Sequence, residues 1–244
     1  MRKPDWVIDK ERRAREPFWV FGLHAVQAAL ANPARQKLRL VATRNALGRL
    51  GSLHGIEPEE ADARRFPVPL DPGSVHQGAA LEVRPLDWGP LEERMGGTLV
   101  LLDRVTDPHN VGAVLRSAEV FGAAAVVAPS RHSAPETGAL AKAASGALER
   151  QPYIRAGNLS DTILKLRDAG YEVLGLAGEA EAPLETMGPG PVAVVLGAEG
   201  PGLRARTREC CTRLVRIGAA GGFGSLNVSN AAAVALYATH RRTE

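Results

Sequence analysis

The sequence predicts an α/β protein in two parts, a small N-terminal α/β domain over residues 17–84 and a larger domain over 98–244 that is built on a parallel sheet. Continuous apolar runs, such as 98–103 and 192–196, are typical of parallel strands that are covered on both faces. Helical patterns alternate with these runs, as they do in doubly wound sheets. A stretch with several Pro and Gly residues, 85–97, separates the two parts and is typical of an inter-domain linker.

Composition indicates a globular protein. The chain has 244 residues, enough for one large domain or two smaller ones, and 45% of them are hydrophobic and 23% charged. A formal net charge of +3 permits contact with nucleic acid without requiring it. The sequence shows no secretory-signal pattern and no apolar run near the length of a membrane span. We therefore expect a cytoplasmic protein without membrane contact.

Cysteine and histidine usage argues against a metal site. The two cysteines, Cys210 and Cys211, are adjacent in sequence and poorly placed for a structural disulfide. The six histidines are scattered and show none of the spacings of zinc ligands. We expect no metal, and we expect both cysteines to pack in the core.

The N-terminal part begins with a polar tail. Residues 1–16 contain six Lys and Arg side chains against four carboxylates and few apolar residues, which predicts a flexible basic tail. This tail is either an arm that touches RNA phosphates or a solvated terminus. Further along, a helix is predicted at 20–30, a strand at 38–42, a broken helix within 48–60, an extended segment at 66–70, and a turn followed by a strand within 76–83.

In the C-terminal domain the first predicted helix has a clear start and end. Asp107 and Pro108 form a cap followed by a proline at the first helical position, and Gly122 ends the helix. Asn110 and Arg116 lie off its apolar stripe, so Arg116 is either a solvated helical arginine or a functional one. Further strands are predicted at 123–128, 152–155, 171–176, 192–196 and 214–217, and further helices at 136–147, 158–170 and 231–238.

Two glycine-rich loops, 197–203 and 218–225, follow predicted strands. Ligands bind at the carboxyl ends of strands in open parallel sheets. The second loop leads into a helix that Asn227 or Ser229 can cap, an arrangement that offers N–H groups to a polar ligand, although such loops are also found as plain turns. Neither loop has the spacing of a dinucleotide-binding or a P-loop motif, which disfavours those two classes of enzyme.

Arginines are dense between the two loops. Five of them lie within thirteen residues, with a single acid, Glu209, among them. Such density predicts either contacts to an RNA backbone or a solvated basic helix face. The five are Arg204, Arg206, Arg208, Arg213 and Arg216.

Three segments, 107–118, 195–203 and 225–230, resemble the three motifs of the SpoU (TrmH-type) branch of the SPOUT RNA methyltransferases in order and spacing. Upstream, 21–30 and 76–78 resemble the small N-terminal substrate-binding domain, of the ribosomal protein L30e type, that ribosomal members carry. The resemblance covers about residues 18–240. The layout is most similar to members that methylate the ribose 2′-oxygen of a guanosine in 23S rRNA.

The resemblance implies S-adenosylmethionine as methyl donor, large-subunit rRNA as partner, a homodimer whose active site is shared across the interface, and a trefoil knot in the C-terminal domain. It places Gly197, Ile217 and Leu226 at the cofactor, largely through backbone groups. The catalytic region it implies consists of Asn110, Arg116, Glu199, Ser225 and Asn227. One departure is visible, since Ile217-Gly-Ala stands where members often have Ile-Pro-Met.

The implied chemistry assigns a role to each polar residue. Methyl transfer is an in-line displacement, so positioning supplies much of the rate. Arg116 is expected to stabilise the developing alkoxide rather than to take the proton, because an arginine almost never deprotonates. Ser225 and Asn227 suit hydrogen bonds to ribose or phosphate, and Asn110 suits orientation of Arg116 or of the substrate. For Glu199, anchoring of its loop, pairing with an arginine and a purely structural role all remain open.

Two other functions fit the same motifs. One is a tRNA ribose 2′-O-methyltransferase, against which the separate N-terminal domain argues, because tRNA members typically carry short helical extensions instead. The other is a non-catalytic RNA-binding factor in ribosome assembly, against which the intact polar set argues. Activity and cofactor binding of an Arg116→Ala variant separate an enzyme from a binding protein.

Overall fold

The computed structural model describes residues 16–71, 73–221 and 226–243. Apart from Glu16, the predicted N-terminal tail lies outside these residues, and so does Ser225. The chain divides into two compact units, each made of two chain segments. The N-terminal unit comprises Met1–Asp87 and Pro135–Glu149, and the C-terminal unit comprises Trp88–Ala134 and Arg150–Glu244.

The N-terminal unit contains a four-stranded sheet with the order β1-β4-β2-β3. Strand β4 is antiparallel to both β1 and β2, and β3 is parallel to β2. The elements are β1 (Phe18–Phe21), α1 (Leu23–Ala31), β2 (Lys37–Ala42), α2 (Arg44–Leu50), β3 (Pro58–Glu60) and β4 (Ala79–Val83).

Two sequence-based expectations in this unit were wrong. Helix α1 begins at Leu23 and not at residue 20, because Gly22 has a φ of 88° that ends β1, and the side chain of Gln77 accepts a hydrogen bond from the Leu23 N–H. The region 48–60 contains the end of the helix α2 (Arg44–Leu50) and the strand β3 (Pro58–Glu60) instead of a broken helix. Thr43 caps that helix by accepting from the Ala46 N–H, and Gly51, with a φ of 72°, follows its last residue.

The segment Pro135–Glu149 packs with the N-terminal unit although 98–244 was predicted as one contiguous domain. It carries α4 (Gly138–Ala144), which lies against β1 so closely that a Cβ atom at Gly138 would lie 2.2 Å from the carbonyl oxygen of Trp19. At its end, the Glu149 carboxylate accepts two hydrogen bonds from the buried Arg35 guanidinium, at 2.9 and 2.8 Å. Close packing and a buried ion pair thus fix this segment in the unit.

The C-terminal unit is built on a six-stranded sheet in which every adjacent pair is parallel, as predicted, with the order β10-β8-β9-β5-β6-β7. The strands are β5 (Leu99–Asp103), β6 (Ala125–Pro129), β7 (Tyr153–Ala156), β8 (Glu172–Leu176), β9 (Val192–Gly197) and β10 (Arg213–Val215). The helices are α3 (Pro108–Val120), α5 (Leu159–Asp168), α6 (Ala205–Cys210) and α7 (Val228–Thr243). The trefoil knot and the L30e likeness of the N-terminal unit stay predictions.

Side-chain caps fix where the helices near the strand ends begin. Asp107 caps α3 by accepting from the His109 N–H at 3.0 Å, and Pro108 is the first helical residue, as predicted. Of the two candidate caps for α7, the structure uses Asn227, whose Oδ1 accepts from the Ser229 N–H at 2.9 Å. These caps place the first turns of α3 and α7 at defined positions.

Both cysteines are buried in the core of the C-terminal unit, as expected. Burial, reinforced by the neighbouring Cys210, raises the pKa of the Cys211 thiol to about 12. The thiol is therefore neutral at physiological pH and serves in packing.

Candidate active site

A cleft of about 1230 Å³ lies at the carboxyl ends of β8, β9 and β10. Its walls are the loop residues 176–179, 196–203 and 216–219, together with Gly221 and the start of α7. The structure brings all three residues that were predicted at the cofactor, Gly197, Ile217 and Leu226, to the wall of this cleft. It is the position at which parallel sheets bind their ligands.

The loop after β9 folds back over the end of its own strand. A Cβ atom at Gly197 would lie 2.1 Å from the carbonyl carbon of Gly202, so only glycine fits at this point. The Gly202 N–H donates to the Ala198 carbonyl at 2.9 Å, and both Gly200 and Gly202 have positive φ angles, of 80° and 68°. The glycines of this loop therefore serve a tight return that exposes backbone groups to the cleft.

Three of the predicted catalytic side chains form one hydrogen-bonded cluster. The Asn110 amide donates to the Glu199 carboxylate at 3.1 Å, and the Asn227 amide donates to Asn110 Oδ1 at 3.0 Å and also to Glu199. Helix α3, the loop after β9 and the cap of α7 each supply one member. Glu199 thus accepts from two asparagine amides, and neither a backbone N–H nor an arginine is its partner among the described residues.

Arg116 is not part of this cluster. It lies six residues after Asn110 on α3, which places it about 9 Å further along the helix axis and turned by about 120°. Its side chain is exposed and has no hydrogen-bond or ion-pair partner within the described part of the chain. Asn110 therefore does not orient Arg116 within one chain, and the arginine shares its helix face with the exposed Val120.

The five arginines that follow the first glycine loop all have partners within the C-terminal unit. Four form ion pairs, and the fifth, Arg216, donates to the carbonyl oxygen of Ala180 at 3.3 Å. The ion pairs are Arg204 with Asp103 at 2.6 Å, Arg206 with Glu209 at 3.2 Å, Arg208 with Glu179 at 2.6 Å and Arg213 with Glu172 at 2.8 Å. In this region four of the arginines are paired with carboxylates and the fifth with a carbonyl group, so none of the five is without a partner.

Two acidic residues at the site were missed by the sequence interpretation. Asp103 ends strand β5 with its carboxylate buried and bound to Arg204. Glu179 lines the cleft. A hydrogen bond from its own backbone N–H and, to a lesser extent, one from Arg208 lower the pKa of its carboxyl group. An acid that ends an otherwise apolar strand, as in 98–103, is the signal that could have identified Asp103.

Within the described residues, no group of three or more His, Cys, Asp or Glu side chains is placed to hold a metal ion. No helix of this part of the chain has the length and apolar character that crossing a membrane requires.

Solved structures share this fold over nearly the whole chain. An RNA methyltransferase of the TrmH family from Porphyromonas gingivalis superposes with a TM-score of 0.77 at 28% identity, over 99% of this chain and 100% of that one. The SpoU methyltransferase AviRb from Streptomyces viridochromogenes, in complex with its cofactor AdoMet, gives a TM-score of 0.79 at 24% identity, over 96% of this chain and 93% of that one.

Sequence comparison identifies the family. The 23S rRNA (guanosine-2′-O-)-methyltransferase RlmB of Pseudomonas putida KT2440 is 39% identical over 241 residues, which cover 92% of this chain and 96% of that protein. Residues 97–237, which contain the cleft and the polar cluster, match the model of the SpoU rRNA Methylase family. The resemblance noted from the motifs is thereby confirmed, and the chain belongs to the SpoU rRNA methylase family.

Proposed function

We propose that this protein transfers a methyl group from S-adenosylmethionine to the ribose 2′-oxygen of a guanosine in 23S rRNA. The observation that carries this proposal is the position of the Asn110–Glu199–Asn227 cluster beside a cleft lined by Gly197, Ile217 and Leu226. The cluster contains three of the five residues that the resemblance implies for the catalytic region, and the wall of the cleft contains the three residues that it implies for the cofactor.

The cleft suits S-adenosylmethionine in size and chemistry. Its volume of about 1230 Å³ exceeds that of most small-ligand sites, which leaves room for a nucleoside with an amino acid attached. Glycine-rich loops on two sides offer backbone N–H and C=O groups to an adenine ring. A Cβ atom at Gly218 would have no heavy atom within 4 Å, so the Ile217-Gly-Ala sequence leaves open space at this point of the cleft wall.

The chain's own residues would position the acceptor and stabilise its charge. When bound, the cofactor supplies a methyl group on a sulfonium, which needs an oxygen nucleophile held in line. Hydrogen bonds join Asn110, Glu199 and Asn227 at the edge of the cleft. This arrangement would orient the ribose. Arg116 would stabilise the negative charge that develops on the 2′-oxygen as the hydroxyl proton passes to water, while the bond between the methyl group and sulfur would break and leave a neutral thioether.

Because Arg116 lies about 9 Å along α3 from Asn110 and is turned away from it by about 120°, we propose that Arg116 reaches that oxygen from a second copy of the chain, in a homodimer with a shared active site. One turn after Arg116, Val120 is 68% exposed. On α7, Val234 and Tyr237 are 41% and 51% exposed, and the Tyr237 ring packs edge-on against Phe121 at 5.9 Å between centroids. An exposed apolar patch of this kind on α3 and α7 supports burial against another copy, with Arg116 at its edge.

The N-terminal unit is proposed to bind the RNA. Arg64 and Arg65 are exposed on a turn that Asp62 stabilises by accepting from the Arg64 N–H at 2.8 Å. Next to this turn in sequence, Phe66 stacks on His76 with ring centroids 4.1 Å apart. Cationic and aromatic side chains together are what RNA backbones and bases contact. The match to a 23S rRNA enzyme spans both units, which favours rRNA over tRNA as the substrate. A substrate of this kind also favours a cytoplasmic location.

A ribose-methylation map tests the substrate. Total RNA from cells with and without the gene would be compared position by position. Loss of one 2′-O-methylguanosine from 23S rRNA, restored by the wild-type gene and not by Arg116→Ala, is the expected result. A mark lost from tRNA instead would move the assignment to the tRNA alternative, and an unchanged map would favour the RNA-binding factor.

Mixing of two inactive variants tests the shared site. Arg116→Ala and Asn110→Ala subunits would be unfolded together, refolded and assayed with S-adenosylmethionine and 23S rRNA. If one site uses Arg116 of one copy and Asn110 of the other, mixed dimers regain one intact site and roughly a quarter of wild-type activity returns. If both residues act within one chain, the mixture stays inactive and the shared-site proposal fails.

A further inference from the structure

A buried carboxylate lies beneath the first glycine loop. Asp103 is the last residue of β5, and its residue surface is 1% exposed. Its Oδ2 accepts from the Arg204 backbone N–H at 3.0 Å, and its Oδ1 accepts from Arg204 Nε at 2.6 Å. A carboxylate removed from water needs such partners, because an uncompensated buried charge is strongly destabilising.

The same aspartate holds both ends of the loop 197–203. Asp103 pairs in register with Gly197, the residue at which β9 ends and the loop begins. Arg204, which Asp103 binds through both backbone and side chain, is the residue directly after the loop. Between these two anchor points the loop carries Gly197 to the cleft wall and Glu199 to the two asparagines.

We propose that Asp103 and Arg204 are positioning residues, which hold the loop 197–203 in the shape that binds the cofactor and presents Glu199. The inference rests on the proposed function, since it assigns the pair a role in that reaction. Neither side chain belongs to the cluster of Asn110, Glu199 and Asn227, so the pair acts through the loop. A loop that is preorganised by its anchors does not have to be ordered when the ligand binds.

The charge and burial of the pair determine which variant tests it best. The Arg204 side chain is 42% exposed, so Arg204→Met removes the guanidinium while the backbone N–H can still donate to Asp103. Arg204→Lys keeps the charge. Arg206 lies in the first turn of α6, which begins directly after Arg204, and it forms an exposed pair with Glu209, which makes Arg206→Ala the matched control.

The experiment compares these variants with the wild-type protein in three measurements. Calorimetry gives the dissociation constant for S-adenosylmethionine, steady-state kinetics give KM for the cofactor and for RNA, and amide exchange reports the opening of the loop, with the Gly202 N–H as probe. For Arg204→Met we expect about tenfold weaker cofactor binding, a matching rise in KM for the cofactor alone and about tenfold faster loop exchange. Arg204→Lys should recover most of each loss, and Arg206→Ala should match the wild type.

Two results would overturn the inference. In the first, Arg204→Met binds the cofactor within about twofold of the wild type and its loop exchanges at the wild-type rate. In the second, the variant melts at a lower temperature while cofactor binding and loop exchange stay unchanged, which would assign the pair to fold stability alone. If the wild-type protein itself bound no S-adenosylmethionine, the proposed function would fail, and the exchange rates would still decide whether the pair holds the loop.

Discussion

The arginine-rich stretch 204–216 and helix α3 differ in how their arginines are used. In the stretch, every arginine is bound to a carboxylate or a carbonyl group of the same unit. On α3, Arg116 is exposed and has no partner among the described residues. The pattern of charges in the sequence favoured the stretch over Arg116 as the group available to a substrate, because five arginines close together predict a contact to phosphate more strongly than one arginine on a helix.

The difference shows that the density of arginines is a poor measure of available charge. An arginine that already binds a carboxylate must break that contact before it can bind a substrate, which reduces the net gain. An arginine without a partner loses nothing but hydration and side-chain entropy when it meets a developing negative charge. Arg116 is therefore better placed than the five arginines of the stretch 204–216 to stabilise a transition state.

The largest expected effect follows from Arg116. Replacing it with Ala should lower the single-turnover rate of methylation by roughly 10²- to 10³-fold, the range seen when one stabilising donor is removed from an active site. Because the side chain has no partner among the residues that the structure describes, the melting temperature and the affinity for S-adenosylmethionine should stay at wild-type values. Single-turnover assays, thermal melts and calorimetry would check these three quantities.

Arg206→Ala is again the control, because it also removes an exposed helical arginine. A melting temperature several degrees lower for Arg116→Ala would mean that this residue has a structural partner and would remove the contrast between the two regions. Equal rates for the two variants would show that Arg116 takes no part in the chemistry.

The parallel sheet of the C-terminal unit could be predicted from the sequence alone. Its strands are short apolar runs with capped helices between them, and these local signals are strong enough to identify each element. The differences lie in the N-terminal unit, where the second half of β1 was included in a helix and β3 was predicted as helix. The segment Pro135–Glu149, predicted within the C-terminal domain, also packs with this unit. A short strand before a glycine, and packing against a distant strand, leave no periodic signal in one sequence.

For the site, motif resemblance identified residues but not their partners. Asp103 and Arg204 are separated by 101 positions, and Asn110 and Asn227 by 117. Hydrogen bonds over such separations are set by the order of strands in the sheet, which the pattern of apolar residues does not encode. The fold alone therefore determines whether an arginine is free or paired, and this property distinguishes Arg116 from the arginines of the stretch 204–216.

A second test of the contrast between free and paired arginines uses Arg35, which two carboxylates share, and measures how stability depends on pH. In the N-terminal unit the buried Arg35 binds Glu149 through two hydrogen bonds and Glu136 at 3.3 Å. Burial, which outweighs the attraction of Arg35, raises the pKa of the Glu136 carboxyl from 4.5 to about 7. Between those two pH values the folded state binds more protons than the unfolded state. This contribution to stability is therefore complete below pH 4.5 and is lost as the pH rises through about 7.

Glu136→Gln should remove that pH dependence. The pKa change corresponds to on the order of 3 kcal/mol, so the variant should be more stable than the wild type by up to this amount at pH 8 and equal to it near pH 4.5. Amide exchange of β1 and β4 at several pH values measures the N-terminal unit alone. Glu60→Gln, which changes an exposed carboxylate paired with Arg44, should leave the profile unchanged. A wild-type profile that rises from pH 5 to pH 7 would contradict the prediction.

The smaller of these two effects on stability is expected at Asn227, whose side-chain oxygen and amide group bind different partners. Its Oδ1 caps α7 through Ser229, and its amide binds Asn110 and Glu199. Asn227→Ala removes both functions and should cost about 1 kcal/mol, or about 2–4 °C in melting temperature. Asn227→Ser keeps an oxygen for the cap but no amide, so it should melt near the wild type and still methylate more slowly.

Asn158 provides the matched control for that pair of variants, because its side chain caps α5 through the Ser160 N–H at 3.0 Å and lies outside the cleft. Asn158→Ala should lower the melting temperature as much as Asn227→Ala does and leave the methylation rate unchanged. Together the three variants separate the stability that a cap provides from the orientation that the amide provides. Full activity of Asn227→Ser would show that the cluster does not orient the substrate, and the reaction would then depend on Arg116 and on the cleft alone.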